Sequence, residues 1–244
     1  MRKLTSFLCV IAVVGCAPLA QATMQLSFQI NGGFPTVCAT SPAEMGLLTC
    51  LPITGRGVTI TNFSAQSDAP RWPTESHEVY STLDITNTSS STQLVTLWVS
   101  AENFTFPTAP PGTITFDSEV ALTSTTATGS VGFTSCLDTS SGLASRTGTF
   151  CSAGPSLTNV PQSYSGASSE QNTVSTVITS PSSLFSLSEE ITLTLSKAAT
   201  LNVIMSQILT PVVIPEPTSI ALLGGAMLFI TAGPAWFAGK RNQS

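Results

Sequence analysis

Charge is scarce in this chain. Of its 244 residues only 9% are Asp, Glu, Lys or Arg, and eight cations stand against thirteen acids. Nucleic-acid binding needs clustered Lys and Arg to displace phosphate counterions, so a sparse acidic surface argues against that partner. It argues equally against an anionic lipid surface. Histidine occurs once, at His77, and no Gly-x-Ser-x-Gly turn is present. A Ser-His-Asp hydrolase needs an imidazole beside its nucleophile, so that class has little to build on. No Cys-x-x-Cys pair supports a zinc site, and no metal or cofactor is expected. Helical periodicity is missing between residues 23 and 213, as is any internal repeat of solenoid length.

Long apolar runs lie at the two ends. Arg2-Lys3 precede apolar residues 7–14, and Ala20-Gln21-Ala22 supplies the small-x-small pattern of a signal-peptide cleavage site. This makes residues 1–22 the signal peptide, cut after Ala22. Val13-Val14-Gly15-Cys16 offers a competing pattern, similar to the lipobox of bacterial lipoproteins, with Cys16 as the lipidated residue. At the other end, Pro215-Glu216-Pro217 holds φ at about −65° twice and removes two backbone donors, so it reads as an exposed, extended spacer. Residues 218–239 then carry no charge, and at about 1.5 Å per residue they reach about 33 Å, enough for a transmembrane helix. Lys240 and Arg241 follow. Cations flanking a span favour the cytoplasmic side, which places the preceding body outside.

A Pro-Glu-Pro spacer, one apolar span and a short basic tail resemble the PEP-CTERM sorting signal of exported bacterial proteins. The resemblance covers residues 214–244. It implies that Pro215, Glu216 and Pro217, with Lys240 and Arg241 as the basic tail, are read by an exosortase-type membrane processing enzyme associated with exopolysaccharide production. It further implies a protein carried by the export machinery across the inner membrane, held there transiently by its C-terminal helix, and passed on to the cell surface or extracellular space. Two features depart from the family: the tail lacks a dense arginine cluster, and Gly224-Gly225 and Pro234 interrupt the span. A plain anchor, with Pro-Glu-Pro as a linker, is the competing reading.

Between the ends lies an exported body, residues 23–213, holding every acid but Glu216 and, of the cations, only Arg56, Arg71, Arg146 and Lys197. Cys9 and Cys16 leave with the signal peptide. Cys38, Cys50, Cys136 and Cys151 remain, an even number that suits disulfides in an oxidising compartment. Four cysteines allow three pairings. The local one, Cys38 with Cys50 and Cys136 with Cys151, closes loops worth about 3 kcal/mol each in the chain-entropy model.

The body reads as strands. Met24, Leu26, Phe28 and Ile30 alternate with polar residues, the period-2 mark of a half-buried strand, and Asn31-Gly32-Gly33 ends it. Residues 34–57 look like a disulfide-held loop rich in Pro and Gly. Residues 79–85 and 95–99 alternate on either side of a polar run and read as a hairpin, with Leu94 and Trp98 on the opposite face of its second strand. Short alternations follow at 114–116, 120–122 and 131–133. Residues 152–170 look loose, 173–179 form a β-branched strand, and 191–195 with 201–205 read as a closing hairpin. About eight to ten short strands without crossover helices predict an all-β, antiparallel β-sandwich.

Candidate chemistry is thin. Asp117 and Glu119 are two apart on a strand and share a face, the minimum for glycoside hydrolysis by a carboxylate pair, although a solvated acidic face has the same spacing. Glu75, His77 and Glu78 form one weak metal grouping, and Glu189-Glu190 is a candidate to help hold calcium, without the spaced ligands of a known loop. Trp72, between Arg71 and Pro73, is a candidate ligand contact that can stack on a sugar ring or cap a sheet edge. Asn62, Asn87 and Asn103 head glycosylation sequons. The expectation is a non-enzymatic exported protein of structural or adhesive type, linked to exopolysaccharide or biofilm. A carbohydrate-binding module with loops near Trp72 is the first alternative, and a glycoside hydrolase using Asp117 and Glu119 the second.

Overall fold

The computed structural model describes residues 22–43, 46–67, 77–104, 113–139, 150–151, 154–179 and 184–211. They form β1 (Ala22–Ile30), β2 (Thr36–Ala43), β3 (Leu47–Thr49), β4 (Ile53–Gly55), β5 (Val58–Ser67), β6 (His77–Asn87), β7 (Gln93–Phe104), β8 (Thr113–Asp138), β9 (Ser156–Thr179), β10 (Phe185–Leu195) and β11 (Thr200–Pro211). The all-β, antiparallel class is as the alternation predicts. No helix among the described residues is long and apolar enough to cross a membrane, and residues 218–239, where a transmembrane helix is expected, lie outside them.

All eleven strands join one sheet, in the order β2-β1-β7-β10-β8-β11-β6-β5-β3, with β4 also on β5 and β9 on β8. The sheet turns back on itself through its longest strands. Residues 129–138 of β8 pair with β10, residues 114–124 pair with β11, and β9 follows β8 along both halves. Between the halves, the β8–β9 register shifts at Ser124/Ala127, Gly166 takes φ 69° and Ala198 takes φ 59°. An irregularity of this kind bends a strand and raises its twist, so three parallel tracks of backbone turn the same corner. The corner brings β1 against β5, and β6 against β7 and β10. Instead of the expected pair of separate sheets, the chain forms one nearly closed, barrel-like roll.

Disulfides fasten it where the ladder does not. Cys38 on β2 bonds Cys50 just after β3, with Cα atoms 5.3 Å apart, which ties the two ends of the sheet together. Cys136 near the end of β8 bonds Cys151 just before β9, at 5.4 Å. This is the local pairing of the three that were open. Inside the roll, Phe63, Phe116 and Phe133 are wholly buried, and Phe104 of β7 stacks on its register partner Phe185 of β10 with centroids 5.3 Å apart.

The strand partners differ from those expected. β6 pairs with β5 and β11, while β7 pairs with β1 and β10, so the supposed hairpin is a crossing between facing limbs. β10 and β11 follow one another along β8 and form no hairpin either. The three short alternations from 114 to 133 are one strand, β8. The loose stretch is the first half of β9, where Pro161 falls at a register shift opposite Val131/Phe133, a place where a missing donor is tolerated.

Candidate functional site

A cleft of about 240 Å³ lies among the described residues between β1 with the segment that follows it and the β4–β5 turn. β1 supplies Phe28 and Ile30, the segment after it Phe34 and Thr36, and β4 with its turn Ile53, Gly55 and Arg56. Phe28 shares the inward face of Met24, Leu26 and Ile30 yet is only half-buried, since it lines the cleft. Arg56 and Gly57 form the two-residue turn between β4 and β5, at φ 50° and 78°. Asn or Gly meets that conformation at lower cost, so arginine there is unusual. Its Nη1 donates to Ile30 O at 3.4 Å, and the guanidinium lies over Gly33, where a Cβ would collide with it.

The cleft has an apolar rim. Phe34, which lines the cleft, is 91% exposed; Leu47, inside the loop that the Cys38–Cys50 bond closes, is 69% exposed, and Leu51, just after that loop, 84%. Large apolar side chains left this exposed in one neighbourhood mark a contact surface. An apolar floor with one cation at its mouth is suited to holding a hydrophobic group that carries negative charge or a π face. Neither the cleft nor Arg56 was singled out from the sequence. The available signal was Arg56-Gly57 between β-branched runs, which has the form of a tight hairpin turn.

The residues picked from the sequence are scattered. Asp117 and Glu119 lie on the outward face of β8, half-exposed, with Gln171 Nε2 donating to Glu119 Oε1. Glu189 and Glu190, the weak calcium candidate, are neighbours on a strand and so point to opposite faces. Glu189 faces the interior, wholly buried, where Ser81 Oγ donates to its Oε2. Glu190 faces outward and accepts the Trp98 indole N–H at 2.8 Å, which satisfies that buried ring. His77 begins β6, opposite Leu209. Among the described residues no three of His, Cys, Asp and Glu converge on one point. Asn87 is buried with its amide fully engaged, so its sequon is closed to modification in the folded protein. Ala22 is the first residue of β1, and cleavage after it leaves the pairs from Thr23 onward intact. Ala20, Trp72, Glu75, Pro215, Glu216, Pro217, Lys240 and Arg241 lie outside the described residues.

A polar band crosses the interior beside Glu189. Ser118 Oγ and Ser135 Oγ, from the two halves of β8, meet at 2.8 Å, and Ser118 Oγ also donates to Asn159 Oδ1 at 2.7 Å. Asn159 Nδ2 donates onward to Asn172 Oδ1 at 2.9 Å. These bonds fix the fold angle of the roll, since they link strand halves that no ladder joins.

Tyr164 pins the same corner. Its hydroxyl donates to Thr194 O at 2.8 Å, and it packs against Gly129, where a Cβ would overlap both groups. Burial pushes its phenol from 10.0 up to about 12. The raised value means that its contribution to stability is complete below pH 10 and is lost as pH rises towards about 12. Alkaline titration followed by phenolate absorbance is expected to show a late step near pH 12 that Tyr164→Phe removes. A late step that survives the substitution would contradict the assignment.

No known protein-family model matches this chain, and no curated protein does.

Proposed function

We propose that this is a non-enzymatic exported protein of structural or adhesive type, delivered to the cell surface or extracellular matrix by a C-terminal PEP-CTERM sorting signal and associated with exopolysaccharide. In this reading the facing limbs of the roll serve as a β-sandwich body, and the apolar rim around the Arg56 cleft is its contact surface. The observation that carries it is the pair of disulfide-bonded cysteine couples, Cys38–Cys50 and Cys136–Cys151, one of which closes the sheet. Cystines persist in oxidising compartments and not in a reducing cytoplasm, in agreement with a leader at one end and a sorting signal at the other. Removal of an exosortase-type signal then releases the body from the inner membrane.

One measurement tests compartment and processing together. The intact mass of the protein recovered from its native host is expected to match a chain that starts at Thr23, lacks the apolar C-terminal span and takes up no thiol reagent until reduced. A chain still ending at Ser244, or one whose four body cysteines react without reduction, would overturn the proposal.

A further inference from the structure

An edge strand presents unpaired N–H and C=O groups to solvent, and natural proteins blunt such edges with charge, proline or bulges. β9 is an edge of this kind, because among the described residues it pairs with β8 alone. Its halves are guarded differently. The first half has a register shift at Pro161 and the positive φ of Gly166, and Glu170 follows. From Gln171 to Thr179 there is no charge, no proline and no shift of register, and Thr173, Val174, Thr176, Val177, Ile178 and Thr179 are all β-branched. Val177 is 63% exposed on the outer face. Nothing in this stretch protects its free backbone.

We propose that residues 171–179 of β9 pair antiparallel with the same residues of a second copy, centred on Ser175, so that two rolls join edge to edge across a two-fold axis. A second copy fits for two reasons. The first is side-chain matching: with Ser175 at the axis, Thr173 falls opposite Val177 and Val174 opposite Thr176, cross-strand pairs of the β-branched kind that sheets favour. The second is charge. The paired span carries none, and the nearest outward acids, Asp117 and Glu119, sit one strand in, beside Ser175 and Thr173. Each Asp117 is then three strand spacings from its copy, about 14 Å, beyond a screening length of about 8 Å. An isologous contact of this kind closes after two copies and uses residues 171–179 of both. This inference concerns the body alone and stands whether or not the C-terminus is processed.

Cysteine placement reads the register directly. In the exported full-length chain, Ser175→Cys is expected to yield a disulfide-linked dimer on non-reducing gels, because facing Cα atoms lie about 4.5–5.5 Å apart, within reach of a disulfide. Thr179→Cys, also exposed, lies opposite Gln171 and about 26 Å from its own copy, so it stays monomeric. Adding Thr173→Lys and Val177→Lys to Ser175→Cys sets like charges directly opposite and abolishes the dimer, while both sites stay on the solvated face. Equal cross-linking of Ser175→Cys and Thr179→Cys, no cross-linking of Ser175→Cys, or a dimer indifferent to the paired lysines would overturn the proposal.

Discussion

Asn87→Ala is expected to lower the stability of the body by about 3 kcal/mol, because it leaves carbonyls at the corner of the roll without their donor. Asn87 ends β6 at the point where the chain crosses to the facing limb. Its Nδ2 donates to Ser91 O at 2.8 Å and to Leu195 O and Ser196 O at 2.9 Å, and its Oδ1 accepts from Ser89 N at 2.9 Å. One side chain therefore holds the 88–92 crossing and the break between β10 and β11. Its backbone N–H also reaches Ala199 O at 2.8 Å. Water replaces these partners poorly, since Asn87 is 1% exposed. For a body of this size the loss corresponds to a fall in melting temperature of roughly 6 to 12 °C. Asn62→Ala is the control: it removes one half-exposed contact to Thr82 and should cost under about 1 kcal/mol. Asn87→Ala melting within a degree or two of the parent would show that the corner is held by something else.

That corner also explains what the sequence revealed and what it withheld. Period-2 alternation identified faces correctly: Met24, Leu26 and Ile30, Val79, Leu83 and Ile85, Val95, Leu97 and Val99, and Leu201, Val203 and Met205 are all buried. Alternation reports which side of a strand is apolar and carries no information on its neighbours. Two hairpins were inferred from proximity in sequence, and both gave way to long-range pairing imposed by the bend in β8. The bend left only Gly166 as a trace, because Ala198 adopts its positive φ without the Gly or Asn that normally signals one. The first half of β9 was hidden for another reason. An edge strand with serines on its solvent side and Pro161 at a bulge has the composition of a loop. The cysteine pairing was legible as one of three choices, and the fold selects it by placing Cys38 and Cys50 at opposite ends of one sheet. Glu189 and Glu190 were a weak calcium candidate on adjacency in sequence alone, and a strand turns adjacent side chains to opposite faces.

Glu216→Ala is expected to leave membrane insertion intact and to stop maturation, so that the unprocessed chain accumulates in the native host. The argument separates two kinds of recognition. Insertion depends on transferring apolar side chains from water into hydrocarbon, and a single carboxylate ahead of residues 218–239 contributes little to it. A processing enzyme instead reads shape and charge. On the proposed reading, two prolines that fix φ favour an extended Pro-Glu-Pro with one carboxylate between them, and a site built to pair that carboxylate would be left with an unsatisfied buried group when it meets alanine. Gly225→Arg should show the opposite pattern, because a charge near mid-span costs about 2.5 to 3.5 kcal/mol on the insertion scale and impairs the anchor itself. Fractionation of membranes and medium, with immunodetection of the body, distinguishes the two variants. If Glu216→Ala is released at the parental rate, Pro-Glu-Pro is a linker and the C-terminus is a tether, whereas the disulfide-closed roll and the pairing of β9 would be unaffected by that result.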